Sequence, residues 1–120
     1  ELKRGQDFVY VHLEAPDECG HRFELENKVK SIEYMDSRFL QPILAGLQEM
    51  GEDYSIMILP DHPTPLALRT HTAEPVPYLI YRSNARQEKP GQVYDEFYPS
   101  QTGKYFTEGF RLMDHFLQRF

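Results

Sequence analysis

Two stretches of this chain carry side chains of the types that hold metal ions. In the first, Asp17 and His21 stand four residues apart. In the second, Leu59-Pro60-Asp61-His62-Pro63-Thr64-Pro65 sets a carboxylate beside an imidazole, and His71 follows nine residues after His62. Carboxylate oxygens and neutral imidazole nitrogens suit Zn²⁺, Mn²⁺ and related divalent ions. Five such groups exceed what one open catalytic site normally uses, so a two-metal arrangement is expected. Two ions about 4 Å apart can clamp the attacking and leaving oxygens of a transferred phosphoryl group. If an extended backbone runs through Asp61 and His62, their side chains point to opposite sides, one toward each ion. Pro60, Pro63 and Pro65 lower the entropy lost on fixing these ligands. Taken singly the features are weak, since an Asp-His pair is ordinary turn polarity and a lone His after a Thr needs no ligand.

Other reactive side chains read more plainly. Cys19 lies two residues from His21, but its neighbours Asp17 and Glu18 disfavour a thiolate. It reads as a small filler in a turn rather than a nucleophile. His12 reads as a packed or supporting histidine, and His115 as structural or exposed. Arg69 and Lys28 could meet an anionic substrate, although Lys28 reads first as a solvated helix lysine.

The elements expected to position these groups alternate. Phe8-Val9-Tyr10-Val11-His12-Leu13 reads as a buried strand. Residues 14–22 read as a loop, because Pro16 disfavours helix before it and Gly20 permits a tight turn. Leu25, Val29, Ile32, Met35, Phe39, Ile43, Leu44, Leu47 and Met50 recur at spacings of three and four. They predict a long amphipathic helix, bent or broken near Pro42 and stopped by Gly51. Residues 54–59 read as a second strand, and residues 60–72 as a loop with a helical turn at Leu66-Ala67-Leu68. Residues 76–81 read as a third strand, at an edge or strand start because of Pro77. Residues 83–100 are polar and turn-rich. Phe106, Phe110, Met113, Phe116, Leu117 and Phe120 predict a closing helix over residues 103–120. Strand, long helix, strand predicts a right-handed crossover in an α/β fold, with a mostly parallel sheet and flanking helices. Both ligand clusters then sit beyond strand C-termini, where open α/β sheets bind ligands.

The composition narrows the function. With 120 residues, 40% hydrophobic and 13% aromatic, the chain can bury a core. A net charge of −6 argues against nucleic-acid or anionic-membrane binding, which needs a basic face. It does not argue against a small phosphorylated ligand, because a bound cation supplies local positive charge. One cysteine excludes an internal disulfide framework and fits a reducing, cytoplasmic compartment. No apolar run is long enough to span a membrane. The charged lead, residues 1–7, has no initiator Met, and three strands would leave a sheet face uncovered. Residues 1–120 are therefore expected to be a segment of a longer chain. Self-association through uncovered apolar faces, as a non-catalytic interaction fragment, is the competing expectation.

Several runs together resemble a known family. They are Val11-His12-Leu13-Glu14-Ala15-Pro16-Asp17-Glu18-Cys19-Gly20-His21, Lys28-Val29, Ile32-Glu33-Tyr34-Met35-Asp36, Leu59 to Pro65 as quoted above, Arg69-Thr70-His71-Thr72, and Pro75-Val76-Pro77. They are similar to the cofactor-independent phosphoglycerate mutases, closest to the archaeal-type branch, within the alkaline phosphatase superfamily. The resemblance implies a partial alkaline phosphatase-like domain, the C-terminal metal-binding segment of such an enzyme. It implies two divalent ions (Mn, Mg or Zn). Asp17, His21 and His71 would hold one ion, while Asp61 and His62 would help hold the other. It also implies that 3-phosphoglycerate and 2-phosphoglycerate interconvert through a phosphoserine whose serine lies in the N-terminal remainder, so none of these 120 residues is nominated as nucleophile. The chain alone is then expected to be inactive. Other phosphotransferases or phosphatases of the superfamily, homoserine kinases among them, are the alternatives.

Overall fold

The structure is a computed structural model that describes residues 1–85 and 92–118. It divides into two compact units, Glu1–Glu52 with Thr64–Thr72, and Asp53–Pro63 with Ala73–Phe120.

The first unit is helical. A single 3₁₀ turn, Leu2–Arg4, precedes α1, Ala15–His21. Pro16 sits in the first turn of α1. There its missing N–H costs nothing, because no partner exists for it within the helix. Asp17 and Glu18 occupy the same turn, where carboxylates complement the helix dipole. Helix α2, Leu25–Tyr34, runs on through a π-helical segment, Met35–Leu40, into α3, Gln41–Met50. Pro42 lies at the start of α3. The preceding turn widens so that the Gln41 N–H reaches the Asp36 carbonyl, a one-residue bulge of the kind that lets a chain pass a proline. Gly51 ends α3 in the left-handed conformation, φ 69°. Leu47 is the buried apolar side chain of this unit.

The 64–72 segment packs on α1 and α2. The Lys28 ammonium donates to the Thr64 carbonyl at 2.6 Å. Gly20 is buried in the last turn of α1, and a Cβ there would lie 2.6 Å from that same carbonyl oxygen. The segment then makes a helical turn, with the Leu68 and Arg69 N–H groups both donating to the Pro65 carbonyl.

The second unit holds the strands β1, Ser55–Ile58, and β2, Leu79–Arg82. They pair antiparallel, Ser55 opposite Arg82 and Ile58 opposite Leu79. Two short helices follow, α4 over Phe97–Ser100 and α5 over Arg111–Leu117. The Asp95 carboxylate accepts from the Phe97 and Tyr98 N–H groups at 3.0 and 2.7 Å, capping α4. Arg82 donates to the His115 and Phe116 carbonyls at the end of α5. Leu112 on α5 is buried. The Tyr94 hydroxyl reaches the carbonyls of Ile58, at the end of β1, and Pro77, just before β2.

Several expectations need correction. The mostly parallel sheet is not found, since the strands described are one antiparallel pair. Residues 8–13 form no strand, and Phe8, Val9, Tyr10 and Val11 are exposed. A β-prone run becomes a strand only where an edge offers its backbone partners. The loop expected at 14–22 is α1 instead, because Pro16 opens that helix rather than breaking it. The ligand-bearing groups therefore do not all sit beyond strand ends. The third strand begins at Leu79 rather than Val76, after Pro77. The closing helix is confined to Arg111–Leu117, with Gly103 turning at φ 70° before it. Phe120 and residues 86–91 of the expected polar stretch lie outside the described residues. The long helix, its break near Pro42 and its stop at Gly51 are as expected.

Two predictions follow from this packing. Gly20→Ala gains about 1 kcal/mol of helix propensity. It forces a methyl into the Thr64 carbonyl, an overpacking cost of about 1–3 kcal/mol. The second effect should win, and thermal melting should report a lower midpoint; an unchanged or higher one would show that the segment yields freely. The other concerns Tyr94. Burial first, and then the charge of Glu96, push its phenol from 10.0 up to about 12. The folded state thus favours the neutral form, so this contribution is intact below pH 10 and is lost as pH rises through about 12. A titration followed at the phenolate absorbance should show a late component that is absent in Tyr94→Phe. A titration complete near pH 10 would exclude it.

Candidate metal centre

Helix α1 sets the first two groups. Residues four apart lie one above the other on a helix, so Asp17 and His21 share a face. The His21 Nε2 is 3.3 Å from Asp17 Oδ2. The 64–72 segment adds His71, whose Nε2 lies 3.1 Å from Asp17 Oδ1 and 3.1 Å from His21 Nε2. The two imidazole rings are tilted by 51° with centroids 4.9 Å apart. Ligand bonds of about 2.0–2.2 Å place neighbouring donor atoms roughly 3.0–3.5 Å apart in tetrahedral or octahedral coordination. The observed separations fall in that range.

The environment suits an open cation site. The side chains of Asp17, His21 and His71 are 33%, 38% and 50% exposed in this chain. One carboxylate and two neutral imidazoles form a donor set proper to Zn²⁺ or Mn²⁺. Together with a divalent cation they would carry one net positive charge, favourable to a phosphate. Two further contacts hold the donors. Thr64 Oγ1 donates to Asp17 Oδ1 at 2.5 Å, and His21 Nδ1 lies 2.9 Å from the Arg69 carbonyl.

The five candidate ligands are thus placed as follows. Asp17, His21 and His71 converge within the first unit. Asp61 and His62 follow β1 in the second unit, where the Asp61 carboxylate lies 3.5 Å from His62 Nε2. Asp61 is 72% exposed and His62 27%.

Several other side chains have roles that the residue pattern did not show. Lys28 is no freely solvated lysine, since it tethers the Thr64 carbonyl. Thr64 lay inside the Pro-rich run without a role; its position between two prolines was the available signal. Arg69 stacks its guanidinium 4.9 Å above the Phe23 ring. Cys19 is half-buried within α1. His12 is exposed, near Tyr10 and Glu14. His115 packs against the Phe106 ring.

Comparison with known proteins gives this geometry a context. The family described as Metalloenzyme superfamily matches residues 1–108. A "Probable 2,3-bisphosphoglycerate-independent phosphoglycerate mutase" of Geobacter sulfurreducens is 44% identical over 119 residues, covering 99% of this chain and 30% of that protein. A 2,3-bisphosphoglycerate-independent phosphoglycerate mutase of Methanosarcina acetivorans is 46% identical over 96 residues, 80% of this chain and 24% of that protein. One of Methanothrix thermoacetophila is 41% identical over 103 residues, 86% of this chain and 26% of that protein. The chain therefore spans less than a third of the length of these curated relatives. No solved structure matches it. With a family match running through all but its last twelve residues, the chain belongs to the Metalloenzyme superfamily.

Proposed function

We propose that these 120 residues are the C-terminal, metal-binding segment of a phosphotransferase that interconverts 3-phosphoglycerate and 2-phosphoglycerate through a phosphoserine intermediate. The observation that carries this reading is the convergence of one carboxylate and two imidazole Nε2 atoms at 3.1–3.3 Å. Its context is a superfamily whose relatives bear the mutase name. Asp17, His21 and His71 hold one ion (Mn²⁺, Mg²⁺ or Zn²⁺). Asp61 and His62 contribute to a second, completed by groups outside these residues. When bound, such ions neutralise charge on the transferred phosphoryl group and lower the pKa of the attacking hydroxyl.

The residues of this chain then have separable tasks. Asp17 supplies the single negative charge of the first set. His21 and His71 present neutral nitrogens, so the set keeps a net attraction for a phosphorylated substrate. The reacting serine is supplied from outside these residues, and the chain alone is inactive. The enzyme is cytoplasmic. Among the described residues no helix is long and apolar enough to cross a membrane.

A second reading has one observation in its favour. Leu25, Val29 and Ile32 lie on one stripe of α2 and are 60%, 48% and 52% exposed, an apolar surface that another protein could cover. A related superfamily activity, as a phosphatase or homoserine kinase, is the remaining alternative.

Two experiments separate these readings. Ligand binding to the folded state alone raises its stability by about 2.7 kcal/mol at a hundredfold excess over Kd. Mn²⁺ or Zn²⁺ should therefore raise the melting temperature of the chain by several degrees. His71→Ala should lose most of that rise, and calorimetry should find one tight site per chain. Self-association without any metal response would favour the interaction reading. The second experiment places the chain into the Geobacter sulfurreducens relative in exchange for its matching segment. Mutase activity should survive the exchange and fall by at least about 100-fold in Asp61→Ala and in His71→Ala. Near-unchanged rates in both variants would remove the catalytic role of the cations.

A further inference from the structure

We propose that Thr64 and Arg69 are positioning residues for the cation set. The Thr64 hydroxyl orients the Asp17 carboxylate, and the Arg69 carbonyl keeps the His21 proton on Nδ1 so that Nε2 faces the ion. This rests on the reading of Asp17, His21 and His71 as ligands.

Thr64 is 6% exposed, the buried polar residue of the described chain. Its hydroxyl hydrogen points to Asp17 Oδ1 at 2.5 Å, which leaves the other carboxylate oxygen toward His21. Its carbonyl is held by Lys28 at 2.6 Å, over a glycine that leaves no room for a side chain. Both polar ends of Thr64 are therefore anchored, and a hydroxyl fixed in this way restricts the carboxylate that accepts from it. Donors that steer ligand side chains typically change metal affinity 10- to 100-fold.

Arg69 acts through its backbone. A carbonyl oxygen only accepts, so the 2.9 Å contact requires the proton on His21 Nδ1. The neutral ring then offers its lone pair at Nε2, the atom that faces His71 and Asp17. Arg69 holds this carbonyl in place from the left-handed region, φ 55°, and Phe23 shares that conformation at φ 58°. They are the non-glycine residues of positive φ among the described chain, and they stack on each other at 4.9 Å. Costly backbone conformations of this kind persist where their surroundings over-determine them.

The test uses Co²⁺ as the probe, with the 120-residue chain at pH 8. Affinity is read by competition with a chelator, and coordination by the visible absorption of the bound ion. Thr64→Val keeps the shape and loses the hydroxyl, and should weaken Co²⁺ binding by at least about tenfold. Thr64→Ser should stay within about threefold of the unsubstituted chain. Thr64→Ala serves the same comparison should the valine variant not fold. Arg69→Val, which resists positive φ, should weaken binding, whereas Arg69→Gly, which accepts it, should not, although both lose the guanidinium. Nitrogen-15 spectra of the metal-free chain should show His21 protonated on Nδ1. Co²⁺ binding that is tight and equal in all variants would overturn the positioning role while leaving the cation site standing. No Co²⁺ binding by the unsubstituted chain would overturn both.

Discussion

The Asp17 carboxylate is the anion about which the first unit is arranged. It accepts from the Thr64 hydroxyl and stands within 3.3 Å of two imidazole nitrogens. A partly buried carboxylate is stable only with such partners, since desolvation penalises its charge. Two of these partners, Thr64 and His71, come from 47 and 54 residues away in sequence. Their segment is held to α2 by Lys28, which donates to the Thr64 carbonyl, and to α1 across the bare backbone of Gly20 and through the His21 contact to the Arg69 carbonyl. Widening that approach would move His71 and Thr64 away from Asp17 together.

This arrangement explains why a helix suits the first two donors better than a loop. Asp17 and His21 lie in the first and last turns of a seven-residue helix, so their separation is set by helix geometry. The other side is the 64–72 segment, constrained by Pro65, by its own helical turn and by the stacked Arg69 and Phe23. Rigid donors on one side and a constrained strap on the other keep the entropy lost on ligand capture small. The relatives that share this stretch at 41–46% identity carry the name 2,3-bisphosphoglycerate-independent phosphoglycerate mutase.

The apolar side of the molecule is thin by comparison. Leu47 in the first unit and Leu112 in the second are the buried apolar side chains of the described residues. The stripe of Leu25, Val29 and Ile32 has the spacing of a core face yet remains about half exposed.

Local rules read from residue types held where neighbours along the chain decide the outcome. The three-and-four spacing from Leu25 to Met50, the proline at 42 and the glycine at 51 specified a helix, its irregularity and its end, because each acts within a turn or two. The chemistry of Asp17, His21, Asp61, His62 and His71 was likewise legible as donor types. Residues 8–13 and 14–22 were misread for complementary reasons. A strand depends on a partner edge that no local pattern encodes, and Pro16 both ends and begins helices, depending on which side of it the helix lies. The antiparallel pairing of β1 with β2, the tether from Lys28 and the hydroxyl of Thr64 on Asp17 are contacts between distant residues. The sequence by itself determined which side chains carry donor atoms of the types that hold cations, and where the long helix runs. Only the tertiary structure decided that His71 meets α1 and which backbone carbonyl faces His21, because loop closure, not residue type, sets those distances.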